Sequence, residues 1–520
     1  PEEIVYGRAV IEAEAPEVTF DRGDHAIAKA RAQKGAMASY LEVLFGAAAV
    51  RTLRLLDPWE PIDRELDDAQ RLAVDGALRA QDLALIHGPP GTGKTRTLVE
   101  VVRQLAARGL RVLATAASNT AVDNLGERLA AAGLDPVRLG HPARVSAALE
   151  DETLDARVDA DGATELAREW RDRARDLRRR GYGRRDRELL DEARALERDA
   201  RRELANAERA IVGRAKVVLA TCAGADHPVL ADESFDVVVL DEATQAVDPL
   251  ALIALLRAPR AILAGDPHQL PPTVIDPAAA RAGLATTFFD RLRESVAPPV
   301  MLVRQHRMHE EIMRFPSEET YEGRLIAAPE VAHHTLADLG VADDPLRPFP
   351  VWLVDTAGKD WSERKGGLDP GDEDAVDPST WNPGQAERTA AEVRRLLSRG
   401  LAPRAISVIA PYDAQVRRLR ALLAAERASG VEIATIDSFQ GRENEAVVLD
   451  LVRSNDRSDI GFLGDLRRMN VALTRAKRAL VIIADSATIG AHPYYASLIA
   501  SLDARDAHGS AWADDAPPVA

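Results

Sequence analysis

The sequence predicts an α/β protein with two tandem lobes, each built on a parallel sheet. Apolar strand-like runs alternate with helical patterns over residues 57–296 and again over 297–503, which is the pattern of parallel α/β sheets. A glycine-rich loop between the first strand and helix of the earlier lobe marks it as a P-loop lobe. A helical-hairpin insertion in that lobe and a small N-terminal β element complete the predicted fold.

Composition limits the class of protein. The chain has 520 residues, a formal net charge of -16 and 46% hydrophobic residues, enough for several domains with their own cores. The acidic total argues against indiscriminate coating of nucleic acid, although a local basic channel remains compatible with it. A single cysteine, Cys222, excludes disulfide frameworks within these residues and fits a reducing, cytoplasmic compartment. No apolar stretch is long enough to span a bilayer.

The first 56 residues predict a partial β unit and a stalk helix. Residues 1–20 contain short β-rich runs, of which Val18-Thr19-Phe20 is the last, and they are interpreted as two or three strands. From Asp24 to about Leu56 the apolar spacing becomes helical.

The glycine-rich loop is the most specific local feature. It follows the apolar run Leu83–Ile86 and precedes an amphipathic helical pattern, so the order is strand, loop, helix. Backbone N–H groups of such a loop converge on phosphate oxygens, and the helix start adds partial positive charge. Lys94 is expected to reach the β and γ phosphates and Thr95 to hold Mg²⁺. The predicted nucleotide-binding residues of the loop are Gly88, Pro89, Pro90, Gly91, Thr92, Gly93, Lys94 and Thr95.

The first lobe is interrupted over residues 142–213. Apolar residues recur there at steps of three and four on both sides of Gly181-Tyr182-Gly183, which predicts two helices joined by a glycine turn. The arginines of this αα-hairpin either grip a phosphate backbone or form a solvated face with acidic partners. The sequence leaves both interpretations open.

Two further strand ends in the first lobe carry polar residues. Val237–Leu240 leads into Asp241 and Glu242, where Mg²⁺ and the attacking water of an ATPase belong. Asp241 is expected to hold Mg²⁺ and Glu242 to polarise the water. The strand Ala261–Ala264 leads into a proline-stiffened turn, in which the Gln269 amide is placed to bond a γ-phosphate or its water.

In the second lobe, apolar strands are predicted at 300–303, 406–409, 447–449 and 480–483. Residues 359–384 are polar, acidic and rich in glycine and proline, which predicts a mobile surface insertion. The tail at 504–520 is predicted to be disordered.

These motifs resemble the superfamily 1 helicases, in the group containing the nonsense-mediated-decay helicase and the immunoglobulin mu-binding-protein helicase. Nearly the whole chain is covered, and the last two strings are highly specific. The matching strings are Asp68–Gln70, the P-loop, Ser118–Asp123, Arg138–Pro142, Asp241–Gln245, Gly265–Pro272, Gln305–His309, Pro411-Tyr412 with Gln415, Asp437–Glu443 and Asn470–Lys477.

The resemblance implies two RecA-like lobes, a substrate of ATP with Mg²⁺, and a role for individual residues. Gln70 would read the adenine edge, Gly441 and Glu443 would lie near the ribose and γ-phosphate, and His306 would lie at the base. Arg307 and Arg475 would be arginine fingers that stabilise charge on the transferring phosphoryl group, beside the catalytic Lys94, Glu242 and Gln269. The implied contacts to single-stranded nucleic acid are Ser118, Asn119, Thr120, Thr221, Pro411, Tyr412, Gln415 and Ser438.

Two positions depart from the family pattern. His306 replaces the aromatic that usually precedes the motif arginine, and Gln385 replaces an acid three residues after Asn382. Both changes bear on base selectivity rather than on hydrolysis.

The resulting hypothesis is a monomeric motor that hydrolyses ATP, moves 5′ to 3′ on single-stranded nucleic acid, with DNA favoured over RNA, and unwinds duplexes. One alternative is an ATPase that remodels nucleic-acid–protein complexes without processive unwinding. Another is a binding module that uses ATP only as a switch, which the set of Glu242, Gln269, Arg307 and Arg475 disfavours.

Overall fold

A computed structural model describes residues 17–53, 58–184, 186–365 and 379–514. Contacts between Cα atoms divide the chain into two units. The first contains residues 1–87, 94–266 and 271–300, and the second contains 88–93, 267–270 and 301–520. Each unit carries its own parallel α/β sheet, which confirms the predicted fold class.

The first sheet has seven strands in the order β3-β4-β2-β5-β6-β1-β7. The register pairs recorded for β1 to β6 are parallel. Buried aliphatic residues fill these strands because helices cover both faces of a parallel sheet. The strands are β1 (Leu83–His87), β2 (Val112–Ala116), β3 (Val137–Arg138), β4 (Val217–Thr221), β5 (Val237–Asp241), β6 (Ala261–Gly265) and β7 (Val300–Met301).

The helices around this sheet include the N-terminal pair and the inserted hairpin. They are α1 (Glu17–Arg31), α2 (Ala36–Leu44), α3 (Asp68–Arg79), α4 (Lys94–Ala107), α5 (Asn119–Ala131), α6 (Leu154–Ala160), α7 (Ala163–Arg184), α8 (Arg187–Arg214), α9 (Asp248–Leu255), α10 (Pro277–Ala279) and α11 (Phe288–Ser295).

The second unit has a six-stranded parallel sheet in the order β14-β13-β15-β16-β10-β17. Its strands and two short pairs are β8 (Arg304–Gln305), β9 (Ile326–Ala327), β10 (Val351–Asp355), β11 (Arg364–Lys365), β12 (Thr380–Trp381), β13 (Ile406–Ala410), β14 (Glu432–Thr435), β15 (Asn444–Asp450), β16 (Ala476–Ala484) and β17 (His508–Ser510). Its helices are α12 (Glu310–Thr320), α13 (Pro329–Ala332), α14 (Pro383–Ser398), α15 (Asp413–Leu422), α16 (Ala424–Ala428), α17 (Leu466–Leu473), α18 (Ser486–Ile489), α19 (Pro493–Asp503) and α20 (Ala511–Asp514).

The N-terminal prediction is partly wrong. Val18–Phe20 belongs to α1 rather than to a strand, and the earlier predicted strands lie in residues 1–16, outside the described part. The helical prediction for 24–56 holds for α1 and α2, but Thr52 forms a β-bridge with Ala80. β-branched residues at Val18 and Thr19 therefore did not decide the local structure, because propensity is a weak prior.

The inserted hairpin is confirmed, with its turn later than predicted. Gly181 lies inside α7, where a Cβ would meet the Leu190 side chain at 2.9 Å, so the glycine allows α8 to approach closely. Asp186 caps α8 by accepting hydrogen bonds from the backbone N–H groups of Glu188 and Leu189. Ala174, Leu177 and Ala193 form the buried seam of the hairpin.

Three predictions for the second half are corrected. The run at Val300-Met301 is β7 of the first sheet rather than a strand of the second lobe. Residues 504–514 of the predicted disordered tail contain β17, which pairs with β10, and α20. The ends of the predicted mobile insertion pair as β11 and β12, while residues 366–378 and 515–520 lie outside the described part.

Candidate active site and nucleic-acid interface

The P-loop has the strand, loop and helix context that the sequence predicts. Gly91 and Gly93 adopt φ values of 75° and 76°, a region that favours glycine. The Thr92 hydroxyl and backbone N–H both donate to the Pro89 carbonyl, at 2.7 and 3.2 Å. These bonds hold the loop in its turn just before α4 begins at Lys94.

Lys94 lies between the two predicted acids. Its Nζ is 3.1 Å from Asp241 Oδ1 and 2.5 Å from Glu242 Oε1. Burial alone would lower the pKa of Lys94, but the negative charges of Asp241 and Glu242 outweigh it and raise the pKa above its usual value. Lys94 therefore stays protonated at neutral pH, as a phosphate-binding cation must.

Glu242 is held in an uncommon backbone conformation. Its φ is 51°, in the left-handed region, and its backbone N–H donates to Asp241 Oδ1 at 2.8 Å. The Gln245 side-chain amide donates to Glu242 Oε2 at 2.8 Å, which fixes the second carboxylate oxygen. Gln245 is a positioning residue that was not predicted from the sequence, although it is the last residue of the Asp241–Gln245 motif.

The residues around Asp241 fit Mg²⁺. Among the described residues, no group of three or more His, Cys, Asp or Glu side chains is arranged to hold a metal ion. Mg²⁺ bound with a nucleotide takes only one or two protein oxygens, the rest being phosphate and water. One carboxylate at Asp241, at the end of β5, and one hydroxyl at Thr95, in the first turn of α4, supply such a donor set.

Strand β6 lies between the P-loop strand β1 and the acidic strand β5, so three adjacent strand ends bear polar residues. His87, at the end of β1, places Nε2 3.0 Å from Oδ1 of Asp266, which follows β6, and both side chains are buried. Gly265 allows close packing, because a Cβ would lie 3.0 Å from the Thr244 side chain. The His87–Asp266 pair was missed, since neither residue carries a motif signal alone. Gln269, a little further along, is 9% exposed.

Gln70 has a structural role in addition to its predicted one. Its side-chain oxygen accepts from the Asp67 backbone N–H at 3.1 Å, and the Asp67 carboxylate accepts from the Gln70 backbone N–H at 2.9 Å. This reciprocal capping box starts α3. It fixes the Gln70 side chain, which is 1% exposed.

The predicted contacts of the first unit gather at one sheet edge. Ala116 and Thr221 are register partners at the ends of β2 and β4. Ser118 accepts a hydrogen bond from the Ala121 backbone N–H as the cap of α5, and Asn119 and Thr120 open that helix. Ser118 and Thr120 are exposed, and helix starts favour phosphate oxygens.

Arg138 forms hydrogen bonds with two residues of helix α5 at this edge. It is fully buried, its Nε donates to Asp123 Oδ1 at 2.8 Å, and its Nη2 donates to Asn119 Oδ1 at 2.9 Å. Asp123 also accepts from the Ser146 backbone N–H at 2.9 Å. The buried pair therefore orients Asn119. Arg138 and Asp123 belong to two separate motifs, and the sequence did not predict that they form a pair.

In the second unit, Arg307 and Glu443 form an ion pair. Arg307 Nη1 also donates to the Thr474 carbonyl at 3.1 Å, and Lys477 Nζ lies 3.2 Å from Glu443 Oε1. Burial raises the pKa of Glu443, but the charges of Arg307 and Lys477 outweigh it and the pKa is lowered. Glu443 therefore stays ionised between two cations.

The other predicted arginine finger, Arg475, is 1% exposed. Its Nε donates to the Val471 carbonyl at 2.9 Å and its Nη1 to the Arg442 carbonyl at 3.2 Å. Gly441, which directly precedes Arg442, has a φ of 77°. Two donors of the Arg475 guanidinium are thus bound by main-chain carbonyls.

His306 faces a carboxylate. Its Nδ1 is 2.5 Å from Glu330 Oε1, and 36% of its side chain is exposed.

The predicted nucleic-acid contacts of the second unit differ in accessibility. Ser438 is exposed and shares a hydrogen bond of 2.8 Å with Thr435 Oγ1, Tyr412 is partly exposed, and Pro411 is buried. Gln415 is 0% exposed, and its amide donates to the Asp450 carboxylate at 2.6 Å.

The structure does not support a direct contact from Gln415. Its Oε1 accepts from the Asn382 backbone N–H at 2.8 Å, so the whole amide is used inside the lobe. Gln385, the second departure from the family pattern, is also fully buried and donates to Thr356 Oγ1 at 3.4 Å.

Two family models, each described as an AAA domain, match residues 65–277 and 284–487. The chain is 40% identical to the rat DNA-binding protein SMUBP-2 over 93% of this chain and 49% of that protein. It is 38% identical to the DNA polymerase alpha-associated DNA helicase A of Schizosaccharomyces pombe, covering 84% and 66%. It is 34% identical to an uncharacterized ATP-dependent helicase of Methanocaldococcus jannaschii, covering 84% and 70%. The chain spans about half the length of the SMUBP-2 relatives it matches.

Proposed function

The chain belongs to the superfamily 1 helicases, in the group that contains the nonsense-mediated-decay helicase and the immunoglobulin mu-binding-protein helicase. We propose that it is an ATP-driven motor. In this proposal it hydrolyses ATP, moves 5′ to 3′ along single-stranded DNA and unwinds duplexes. The observation that carries it is the cluster of Lys94, Asp241 and Glu242 beside a preformed P-loop. The names of two relatives support DNA as the substrate.

The cluster has the parts that phosphoryl transfer needs. Lys94 would exchange its acidic partners for the phosphates of ATP. Asp241 and Thr95 would hold Mg²⁺, which would supply positive charge to the phosphates during phosphoryl transfer. Glu242, fixed by Gln245 and no longer bonded to Lys94, orients the attacking water. Release of Glu242 by bound nucleotide ties its activation to the presence of substrate.

The remaining site roles are proposals on the same basis. Arg307 and Arg475 supply cations to the transferring phosphoryl group, Gln269 senses it, and Gln70, His306, Gly441 and Glu443 contact the nucleoside or phosphate. We propose that the two units are the RecA-like lobes, 57–296 with its 142–213 insertion and 297–503. A monomeric state and a cytoplasmic location stay predictions. Within the described ranges, no helix combines the length and apolar character that a bilayer crossing requires.

Two substitutions separate binding from chemistry. Lys94→Ala should remove both tight ATP binding and hydrolysis, because it deletes a phosphate-binding charge. Glu242→Gln should keep ATP binding and reduce turnover by about 100-fold or more, the range that a positioned catalytic base contributes. Filter binding of ATP and phosphate release measure the two steps. Normal turnover in Glu242→Gln would contradict the proposed mechanism.

Polarity is tested on duplexes with a single overhang. The proposal predicts unwinding of duplexes with a 5′ single-stranded tail and not of those with only a 3′ tail. The opposite preference would refute 5′ to 3′ movement. DNA-stimulated hydrolysis without any unwinding would favour the remodelling alternative.

A further inference from the structure

The second unit displays an aromatic side chain beside Tyr412 that the proposed contacts do not use. Phe462 is 38% exposed, and its ring centre lies 5.9 Å from that of Tyr412, with the planes tilted by 49°. The Phe462 backbone N–H donates to the Tyr412 hydroxyl at 3.2 Å. The two rings are thus held side by side by a main-chain bond that does not depend on the Phe462 side chain.

The loop that carries Phe462 is built rigidly. Arg453 lies beneath it, 3% exposed, and donates to Glu363 at 2.8 and 2.9 Å, to Asp459 at 3.1 Å and to the Tyr412 hydroxyl at 3.2 Å. Gly461 has φ 50°, and a Cβ there would lie 1.9 Å from Arg453 Nη1. This network fixes the position of the following residue, Phe462, which keeps 38% of its surface exposed.

Arg468 backs the ring. Its guanidinium carbon lies 4.0 Å from the centre of the Phe462 ring. It also donates to Asp437 at 3.1 Å and to Asp465 at 2.8 Å. Two carboxylates therefore balance its charge, so Arg468 is better suited to supporting the ring than to binding a phosphate. Asp437 precedes Ser438, so Arg468 links the Phe462 loop to a second proposed nucleic-acid contact.

We propose that Phe462 and Tyr412 form a stacking shelf for a base of single-stranded nucleic acid. An isolated exposed aromatic is ordinary on a protein surface. Here the ring is instead held by a buried charge network, between two elements independently predicted to contact nucleic acid. An aromatic face accepts any base, so the shelf grips the strand without reading its sequence. This inference rests on the proposed function and extends it from phosphate contacts to a base contact.

The test compares a strand that has bases with one that lacks them. Binding of oligothymidylate and of an abasic oligomer of equal length and charge is measured by fluorescence anisotropy for the full chain and for Phe462→Ala. Loss of stacking should weaken binding of oligothymidylate about 5- to 150-fold, the range for one stacked base, and leave abasic binding unchanged. Phe462→Trp should restore the affinity, because it keeps an aromatic face.

Phe349→Ala is the matched control. Phe349 is 40% exposed in the same unit, but it precedes β10, whereas Tyr412 follows β13 of the same parallel sheet. The two aromatics therefore belong to opposite edges of the sheet, and Phe349→Ala should bind both oligomers like the unmodified chain.

The outcomes separate the shelf from the proposed function. If Phe462→Ala weakens binding of both oligomers equally, or of neither, while the unmodified chain still binds single strands, the proposed stacking shelf is refuted. Failure of the unmodified chain to bind any single strand would instead refute the proposed function. Phe462→Leu, which keeps apolar volume without a ring, should behave like Phe462→Ala. Full affinity in Phe462→Leu would assign the residue to packing.

Discussion

Replacement of Arg138 tests whether a buried ion pair supports the sheet edge of the first unit that carries the predicted nucleic-acid contacts Ser118 and Asn119. Arg138→Met removes a guanidinium that is 0% exposed and leaves the Asp123 carboxylate without its charged partner. Asn119 loses the hydrogen bond that orients it. The substitution keeps side-chain length and apolar packing, so the lost interactions are mainly electrostatic.

The expected cost is large because the pair is buried. Removing one partner of a buried ion pair costs about 3–5 kcal/mol. For a unit of this size, 1 kcal/mol shifts the midpoint of thermal unfolding by about 2–4 °C, so a 3 kcal/mol loss lowers it by roughly 6–12 °C. Asp123→Asn should destabilise as well. The double variant should lose about 1 kcal/mol less than the sum, since both changes remove one interaction.

Arg194→Met is the control within the same unit. Arg194 pairs with Asp191 at 3.0 Å, and the two side chains are 64% and 69% exposed. Exposed pairs contribute about 0–1 kcal/mol, so its unfolding midpoint should fall by no more than about 4 °C. Differential scanning calorimetry of the first-unit transition measures both variants.

Arg138→Met should also affect function at permissive temperature. Because Asn119 is no longer oriented, more single-stranded DNA should be needed for half-maximal stimulation of ATP hydrolysis, while hydrolysis without DNA stays unchanged. An Arg138→Met midpoint within about 2 °C of the unmodified chain, with unaltered DNA dependence, would refute both the stabilising and the orienting role.

Three further predictions concern the hairpin, the base site and a buried acid. Replacing Arg179 and Arg180 with Gln should reduce the slope of log affinity against log salt concentration by about 1.4 if both arginines bind phosphates. Arg178→Gln should leave the slope unchanged, since Arg178 already pairs with Glu197 at 2.7 Å. Equal slopes in all variants would show that the arginines form a solvated face. His306→Tyr should lower KM for ATP and increase the preference for ATP over GTP with little change in kcat, because a phenol ring offers more stacking area. Unchanged kinetics with both nucleotides would show that His306 does not contact the base. Burial raises the pKa of Asp450 to about 6, so the folded state holds this proton more tightly than the unfolded state. The free energy of unfolding should therefore fall by about 3 kcal/mol as pH rises from about 4 to above 6, a loss absent in Asp450→Asn; parallel pH profiles of the two proteins would refute the shift.

Local motifs predicted the glycine-rich loop and the acidic strand end because the residues of each motif are close in sequence. The loop from Gly88 to Thr95 needs only a strand before it and a helix after it, and both can be identified from apolar spacing. Asp241 and Glu242 follow a buried strand, and their meeting with Lys94 results from the sheet order. The His87–Asp266 pair depends on which strands are neighbours, which the sequence does not state.

Strand pairing and burial account for the errors. An apolar run such as Val300-Met301 does not reveal which sheet it joins, and β17 is too short to stand out in a polar tail. An amide such as Gln415 has the same identity on a surface or in a core, so the sequence did not reveal that it is buried. Phe462 was overlooked because its significance lies in its contact with Tyr412, which is distant in sequence.

The proposed motor function is tested by the rate of ATP hydrolysis with single-stranded DNA, with single-stranded RNA and with neither. Hydrolysis should be slow without nucleic acid and increase strongly with single-stranded DNA. Glu242→Gln should abolish this hydrolysis and still bind ATP. Equal rates under all three conditions would contradict the proposal that this protein is a nucleic-acid-dependent motor.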